Sequence, residues 1–152
     1  LLPAIALAQN IRDFIEKNKM TDKIQLSMTP HHIKIKMESF ALFDSGSAEL
    51  KPGIGSFLEY LHEQLKPMSN MVVAEGHTDN VPIHTVQYNS NWELSSARAF
   101  SVIYYFINKG IAPERLIAHG LGEFRPAASN EAEADRAKNR RIEITVVRGA
   151  KG

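Results

Sequence analysis

Apolar residues recur every three or four positions in several parts of the chain, the spacing that places them on one face of a helix. This pattern predicts amphipathic helices over residues 3–19, 52–65 and 94–107, with Pro52 at the first position of the second. The first of these has two interpretations. Its apolar face packs on the rest of the domain, or the helix is a linker that leads from a segment upstream.

Two pairs of residues have the spacing of a helix N-terminus. Ser90 with Glu93 forms a capping box, which predicts that the third helix begins directly after Ser90. Asn130 with Glu133 has the same spacing and predicts the start of a short helix that runs through Lys138. The chain therefore has three long helices and one short one.

Strict alternation of apolar and polar residues predicts strands with one buried face. Alternation marks residues 24–28, 33–38 and 142–146, and short apolar runs mark 71–76 and 115–121. The first two strands form a hairpin, and helices between the later strands imply parallel pairs. The pattern predicts an α+β fold: a two-layer sandwich in which helices cover one face of a mixed sheet.

Composition narrows the classes of protein. The 152 residues, 43% of them hydrophobic, suit one compact domain. A net charge of +1, from 18 basic and 17 acidic residues, provides no broad positive field for nucleic acid. The absence of cysteine excludes disulfides and thiolate metal sites. The chain begins at Leu1 instead of Met, which indicates a processed fragment and leaves an anchor upstream open.

The stretch from Glu75 to Arg98 concentrates polar, charged and small residues between a buried strand and the third helix. Binding residues often occupy such junctions. Residues 77–80 cluster where the strand ends, and Arg98 lies about two turns into the helix. We therefore expect Asp79 and Arg98, an acid and a base, to face one site.

Catalytic chemistry has weak support in this stretch. Metal-dependent hydrolysis would use His77, Asp79 and His84, but their spacing is loose and no second carboxylate is placed as a general base. Ser95 and Ser96 lie inside a predicted helix and not in the strand-to-helix turn of a nucleophilic serine. The residues favour a binding site over an enzyme.

Recognition of a zwitterion fits the residues better. Asp79 can hold an ammonium group, and the Arg98 guanidinium can bind a carboxylate through two parallel hydrogen bonds. Together they suit the head group of an amino acid, and Thr78 could complete the site. The alternative is that Asp79 and Arg98 pair only with each other and hold the loop to the helix. The chemistry alone leaves both open.

Three blocks resemble a known family. GHTDN at 76–80, ELSSARA at 93–99 and NRRIEI at 139–144 are similar, in the same order, to the signature blocks of the OmpA-like peptidoglycan-binding domain. The resemblance spans residues 33–147. SNWELSSARA, the VPI that follows GHTDN, and LFDSGSAELKP at 42–52 resemble more narrowly the MotB-type branch, the wall-anchoring subunits of flagellar stators.

The resemblance implies a site and a role for it. In the wider family the Asp and Arg of these blocks bind the ammonium and carboxylate of diaminopimelate in the peptidoglycan stem peptide, which corresponds here to Asp79 and Arg98. The same resemblance implies that the groove is also lined by Thr78, Phe43, Asp44, Leu94 and Arg140. It implies no catalytic residue, no cofactor and no metal.

The resemblance also implies a setting. The expected function is anchoring of a flagellar stator to peptidoglycan in the cell envelope, on the extracytoplasmic side of an inner membrane. The expected partners are peptidoglycan, a second copy of the chain in a homodimer, and a MotA-type membrane subunit. The expected division is a linker helix at 1–22, the binding domain at 23–148 and a tail at 149–152. The alternatives are the wall-binding domain of an outer-membrane lipoprotein or porin and, less favoured, a metal-dependent wall hydrolase.

Overall fold

The computed structural model describes residues 3–149 and contains a five-stranded sheet in the order β1-β2-β5-β3-β4. The strands are β1 (Ile24–Met28), β2 (His32–Glu38), β3 (Val72–His77), β4 (Leu116–Gly120) and β5 (Arg141–Val147). The first two form the predicted antiparallel hairpin, and β3 and β4 form the predicted parallel pair. The predicted mixed sheet is confirmed.

The last strand of the chain lies in the centre of the sheet. Strand β5 is inserted between β2 and β3 and is antiparallel to both. The parallel pairing that the helix before β5 implied for it is therefore wrong, because β5 does not pair with β4, the strand that precedes it in the chain. In this register Arg141 is paired with His77. The start of β5 therefore lies beside the end of β3, which brings the NRR block next to the GHTDN block.

Residues 3–149 contain five α-helices in addition to the sheet. They are α1 (Pro3–Lys17), α2 (Ser39–Leu42), α3 (Gly55–Leu65), α4 (Asn91–Asn108) and α5 (Glu133–Asn139). The four-residue α2 was not predicted, because its segment has no helical period. The apolar residues of β2, β3 and β5 and the inner faces of α1, α3 and α4 form one hydrophobic core. The predicted α+β fold is confirmed.

Helix α1 buries its apolar face in this core. Leu7 and Ile11 are 3% and 0% exposed, and α1 contacts both β1 and α3. The predicted linker at 1–22 therefore contains a helix that packs on the domain, whereas its boundary at residue 22 stays a prediction. Residues 1, 2 and 150–152, at the ends of the predicted linker and tail, lie outside the described residues. Within residues 3–149, no helix is long and apolar enough to cross a membrane.

The two predicted helix starts have different outcomes. Ser90 and Glu93 form the predicted reciprocal capping box at the start of α4. Helix α5 instead begins after Ala132, without a side-chain cap. The side chain of Asn130 accepts hydrogen bonds from the Asn80 N–H and the Asn139 amide. The predicted Asn130 cap is wrong because its side-chain oxygen binds Asn80 and Asn139 and not the first backbone N–H groups of α5.

Helix α4 approaches the sheet so closely that two strand positions must be glycine. A Cβ atom on Gly76 would lie 2.1 Å from the Ser95 carbonyl oxygen, and one on Gly120 would lie 2.0 Å from the Ser96 Oγ. Both distances are far inside van der Waals contact. The backbone of α4 therefore rests directly on β3 and β4, and this contact fixes the helix relative to the end of β3.

We expect Gly76→Ala to lower the free energy of unfolding by about 3 kcal/mol, at the upper end of the usual cost of overpacking, because the new methyl group meets helix backbone. Urea denaturation followed by circular dichroism measures this loss. Gly53→Ala is the matched control, since no heavy atom lies within 4 Å of its added Cβ, and its change should stay within about 0.5 kcal/mol. Equal stability of the two variants would contradict the close approach.

Candidate ligand-binding groove

A groove of about 600 Å³ lies at the end of β3, between the start of α4, the loop after α2 and the start of α5. Six of the seven predicted site residues line it: Phe43, Thr78, Asp79, Leu94, Arg98 and Arg140. Asp44 is not among its lining residues. The Asp44 side chain is 83% exposed, with a carboxylate oxygen 3.9 Å from the Lys51 Nζ, and it is the backbone carbonyl of Asp44 that contacts the site.

Asp79 is held in place from two sides. Its Oδ1 accepts a hydrogen bond from the Val81 N–H at 3.0 Å, and its Oδ2 accepts one from the Arg140 Nη1 at 2.7 Å. The preceding Thr78 anchors the turn, because its N–H donates to the Gly122 carbonyl and its hydroxyl to the Asp79 carbonyl. The carboxylate is therefore oriented at the groove before any ligand arrives.

Arg98 is buried, although the apolar stripe of its helix leaves it outside the core face. It is 5% exposed because the loop after α2 folds over α4 and covers it. Its Nε and Nη2 donate to the carbonyl oxygens of Ser47 and Asp44 at 2.8 and 3.1 Å. The guanidinium also lies 5.0 Å from the centre of the Phe43 ring, a favourable cation–π distance.

Burial changes the electrostatics of Arg98 without neutralising it. Removal from water lowers the pKa of Arg98 to about 10, while the Asp79 carboxylate acts in the opposite direction. A group with this pKa is still protonated at neutral pH. The groove therefore presents a positive charge whose hydration has been largely replaced by backbone carbonyls.

Asp79 and Arg98 have different partners. Among the described residues no ion pair joins them, since Asp79 binds Arg140 and Arg98 binds loop carbonyls and the Ser39 hydroxyl. The sequence-based alternative of a direct pair between the two is therefore wrong. Arg98 does hold a loop to the helix, but through the loop after α2 and not through Asp79.

Arg140 connects two carboxylates at one side of the groove. It donates to Asp79 and, through Nη2, to Glu133. The hydrogen bond with Glu133 raises the pKa of Arg140, and the bond with Asp79 acts in the same direction. Acidic and basic groups thus alternate along the groove: Arg98, Asp79, Arg140 and Glu133.

The sequence analysis missed several lining residues. Glu133 and Arg136 from α5 and Asn91 from α4 also line the groove. The Asn91 amide donates to the Val81 carbonyl at 3.1 Å. Because Asn91 lies inside the SNWELSSARA block, the sequence did contain a signal that could have identified it as a site residue. No sequence motif indicated that Glu133 and Arg136 belong to the site, because only the folded chain brings α5 to the end of β3.

The three residues considered for a metal-dependent hydrolase do not converge. His77 is directed to the sheet face opposite α4, Asp79 binds Arg140, and the His84 Nδ1 lies 3.3 Å from the Asn89 carbonyl. Ser95 is fully buried, and its hydroxyl accepts a hydrogen bond from the Gly122 N–H. Neither the three candidate ligands nor Ser95 has the arrangement that the considered chemistry requires.

The fold and the site define a class of protein: a small α+β domain with a charged groove at the end of β3, an interior strand of the sheet. The OmpA family model matches residues 42–140, more than half of the chain, and the chain belongs to the OmpA family. This confirms the family predicted from the three sequence blocks.

The MotB-type resemblance is also confirmed. The chain is 33% identical over 144 residues to motility protein B of Bacillus subtilis, a match that covers 92% of this chain and 55% of that protein. A MotB-like protein from Desulfovibrio vulgaris has a similar structure, with a TM-score of 0.86, 31% identity, and coverage of 95% of this chain and 93% of that one.

A second structural relative has a different setting. The cell wall anchor of the T6SS from Pseudomonas aeruginosa has a TM-score of 0.83 and 29% identity, with coverage of 91% of this chain and 97% of that one. The chain spans less than two-thirds of the length of its first curated relatives, 58% and 55%. The similarity therefore concerns one domain of those longer proteins.

We expect Arg98→Ala to lower the free energy of unfolding by about 1–3 kcal/mol, because the loop carbonyls of Asp44 and Ser47 lose their donor. Urea denaturation measures the change. Arg12→Ala is the matched control, since Arg12 is exposed on α1, and it should stay within about 0.5 kcal/mol of the parent. Parent-like stability of Arg98→Ala would show that these hydrogen bonds contribute little.

Proposed function

We propose that this chain is a non-catalytic peptidoglycan-binding domain that anchors a flagellar motor stator to the cell wall. The observation that carries the proposal is a groove in which an oriented carboxylate, Asp79, and a buried charged guanidinium, Arg98, face one cavity. In this proposal Asp79 binds the ammonium and Arg98 the carboxylate of the diamino acid of the stem peptide.

The hydrogen-bonding capacity of Arg98 supports this assignment. A guanidinium has five N–H donors, and the described contacts use one on Nε, one on Nη1 and one on Nη2. One donor on each terminal nitrogen is left, which is the number a carboxylate needs for two parallel hydrogen bonds. The internal contacts hold the guanidinium in place, so that binding costs little side-chain entropy.

Asp79 has matching capacity for an ammonium group. Each carboxylate oxygen has two acceptor sites, and Val81 and Arg140 each use one. The salt bridge to Arg140 also holds the Asp79 carboxylate in place until the ligand arrives. The apolar side chains of Phe43 and Leu94 would contact the aliphatic part of the diamino acid between its charged groups.

The named relatives support the wider setting. Motility protein B and a protein described as a cell wall anchor are both similar to this chain over most of its length. We accordingly propose a location in the cell envelope, on the extracytoplasmic side of an inner membrane to which the whole protein is anchored. The proposed partners are peptidoglycan, a second copy of the chain, and a MotA-type subunit bound through another part of the protein.

Binding to isolated sacculi tests the site. We expect Asp79→Asn and Arg98→Lys to weaken binding by about 10–100-fold, since a hydrogen bond to a charged group contributes about 1.5–3 kcal/mol. Cosedimentation over a range of sacculus concentrations measures this loss. Free diaminopimelate should compete with the parent protein for sacculi.

Exposed residues provide matched controls for both changes. Asp22→Asn and Arg12→Lys repeat the same chemistry at exposed positions outside the groove and should bind sacculi as the parent does. Circular dichroism confirms that each variant is folded. If folded Asp79→Asn and Arg98→Lys retain parental binding, the assignment of the site is wrong.

A wall anchor outside the flagellar motor is the second candidate, and the similarity to the T6SS anchor favours it. Swimming distinguishes the two candidates. Deletion of the full-length gene in its own host should abolish swimming, the parental gene should restore it, and the gene carrying Asp79→Asn should not. Normal swimming of the deletion strain, together with intact sacculus binding by the parent protein, would identify the second candidate.

A further inference from the structure

A group of ionisable side chains lies on the face of the sheet opposite the helices. Because Gly76 faces α4, the neighbouring residues Glu75 and His77 lie on the other face of β3. Glu143 of β5 is paired directly with Glu75. We call Glu75, His77 and Glu143 the sheet-face cluster; it is separate from the groove.

His77 is the unusual member of the sheet-face cluster. It is 3% exposed, and neither ring nitrogen has a hydrogen-bond partner among the described residues. A buried polar group without a partner costs free energy, so native proteins rarely contain one without a reason. The proposed function of the groove does not use this ring.

The geometry around His77 fits a shared ion better than direct hydrogen bonds. The His77 Nε2 lies 3.9 Å from a Glu75 oxygen and 3.8 Å from a Glu143 oxygen, and both distances are too long for a hydrogen bond. The three ligand atoms lie within 4.8 Å of one another. Two ligands at about 2.1 Å from one zinc ion in a tetrahedron are about 3.4 Å apart, so only a small inward movement is needed.

A carboxylate must be deprotonated to bind a metal ion. Burial by itself would raise the pKa of Glu143, but hydrogen bonds from Arg141 and Lys34 outweigh it, and the pKa is lowered. His119 offers a further nitrogen, because its Nδ1 lies 3.8 Å from the second Glu75 oxygen.

Two cations of the protein already contact Glu143. Arg141 is buried and donates its Nε to the carboxylate, whereas the Lys34 side chain is 45% exposed, with its Nζ at 3.1 Å. An exposed lysine can move into water at little cost. Arg141 binds Oε2, the Glu143 oxygen nearest His77, and leaves this oxygen a second acceptor site for an ion. Lys34 binds the other oxygen, Oε1, and would move away from an incoming cation.

We propose that the sheet-face cluster binds one divalent transition-metal ion of the zinc type, with His77, Glu75 and Glu143 as ligands. An imidazole nitrogen with two carboxylates suits zinc or cobalt better than magnesium or calcium, which take oxygen ligands. The ion would partner the buried ring. The site would be structural. It lies on the opposite face of the sheet from α4, which lines the groove, so an ion bound there would not contact a ligand in the groove.

Zinc titration of the folded chain by isothermal calorimetry, with Co²⁺ absorption as a second readout, tests the proposal. We expect one bound ion, at least about tenfold weaker binding in His77→Gln and in Glu75→Gln, and tighter binding in Lys34→Gln. His84→Gln and a His31→Gln/His32→Gln double variant control for binding by exposed histidines, and both should keep the parental affinity.

Several results would overturn the proposal. These are no zinc binding by the parent protein, binding that His77→Gln and Glu75→Gln leave unchanged, or weaker binding in Lys34→Gln. Glu75 is partly exposed, so Glu75→Gln keeps the test informative if His77→Gln does not fold. Parental sacculus binding by Glu75→Gln would separate this site from the groove.

Discussion

The contact between helix α4 and strand β3 at Gly76 determines where both charged groups of the groove lie. Asp79 follows the end of β3, and Arg98 lies on α4, so the separation of these elements sets the separation of the two charges. Because helix backbone rests on the strand without an intervening side chain, that separation has little freedom to change. A rigid framework of this kind is what a recognition site for a small zwitterion requires.

The electrostatics of the groove depend on internal partners that prepare charges without neutralising them. Backbone carbonyls of the loop after α2 replace the hydration of Arg98, and Arg140 orients Asp79. Burial lowers the pKa of Arg98 to about 10, which leaves it charged at neutral pH. A ligand with both an ammonium and a carboxylate can interact with this alternation, whereas a ligand with one charge would meet a like charge nearby.

Local sequence patterns predicted the elements and much of the site. Alternation at 142–146 identified β5, and Ser90 with Glu93 identified the start of α4. The position of β5 between β2 and β3 was not predictable in the same way, because alternation describes which face of a strand is buried and not which strands are its neighbours. The burial of Arg98 was missed for a related reason: a loop more than 50 residues away in sequence covers it.

The sequence by itself determined the long helices and the strands, the family, and an acid and a base as candidate ligand-binding groups, because short-range periodicity and motif chemistry are local properties. Only the tertiary structure decided which partners those groups have. It joined Asp79 to Arg140, which also binds Glu133, separated Asp79 from Arg98, and directed His77 to the opposite face of the sheet. Such contacts depend on strand order and on helix–sheet packing, which arise from interactions between distant parts of the chain.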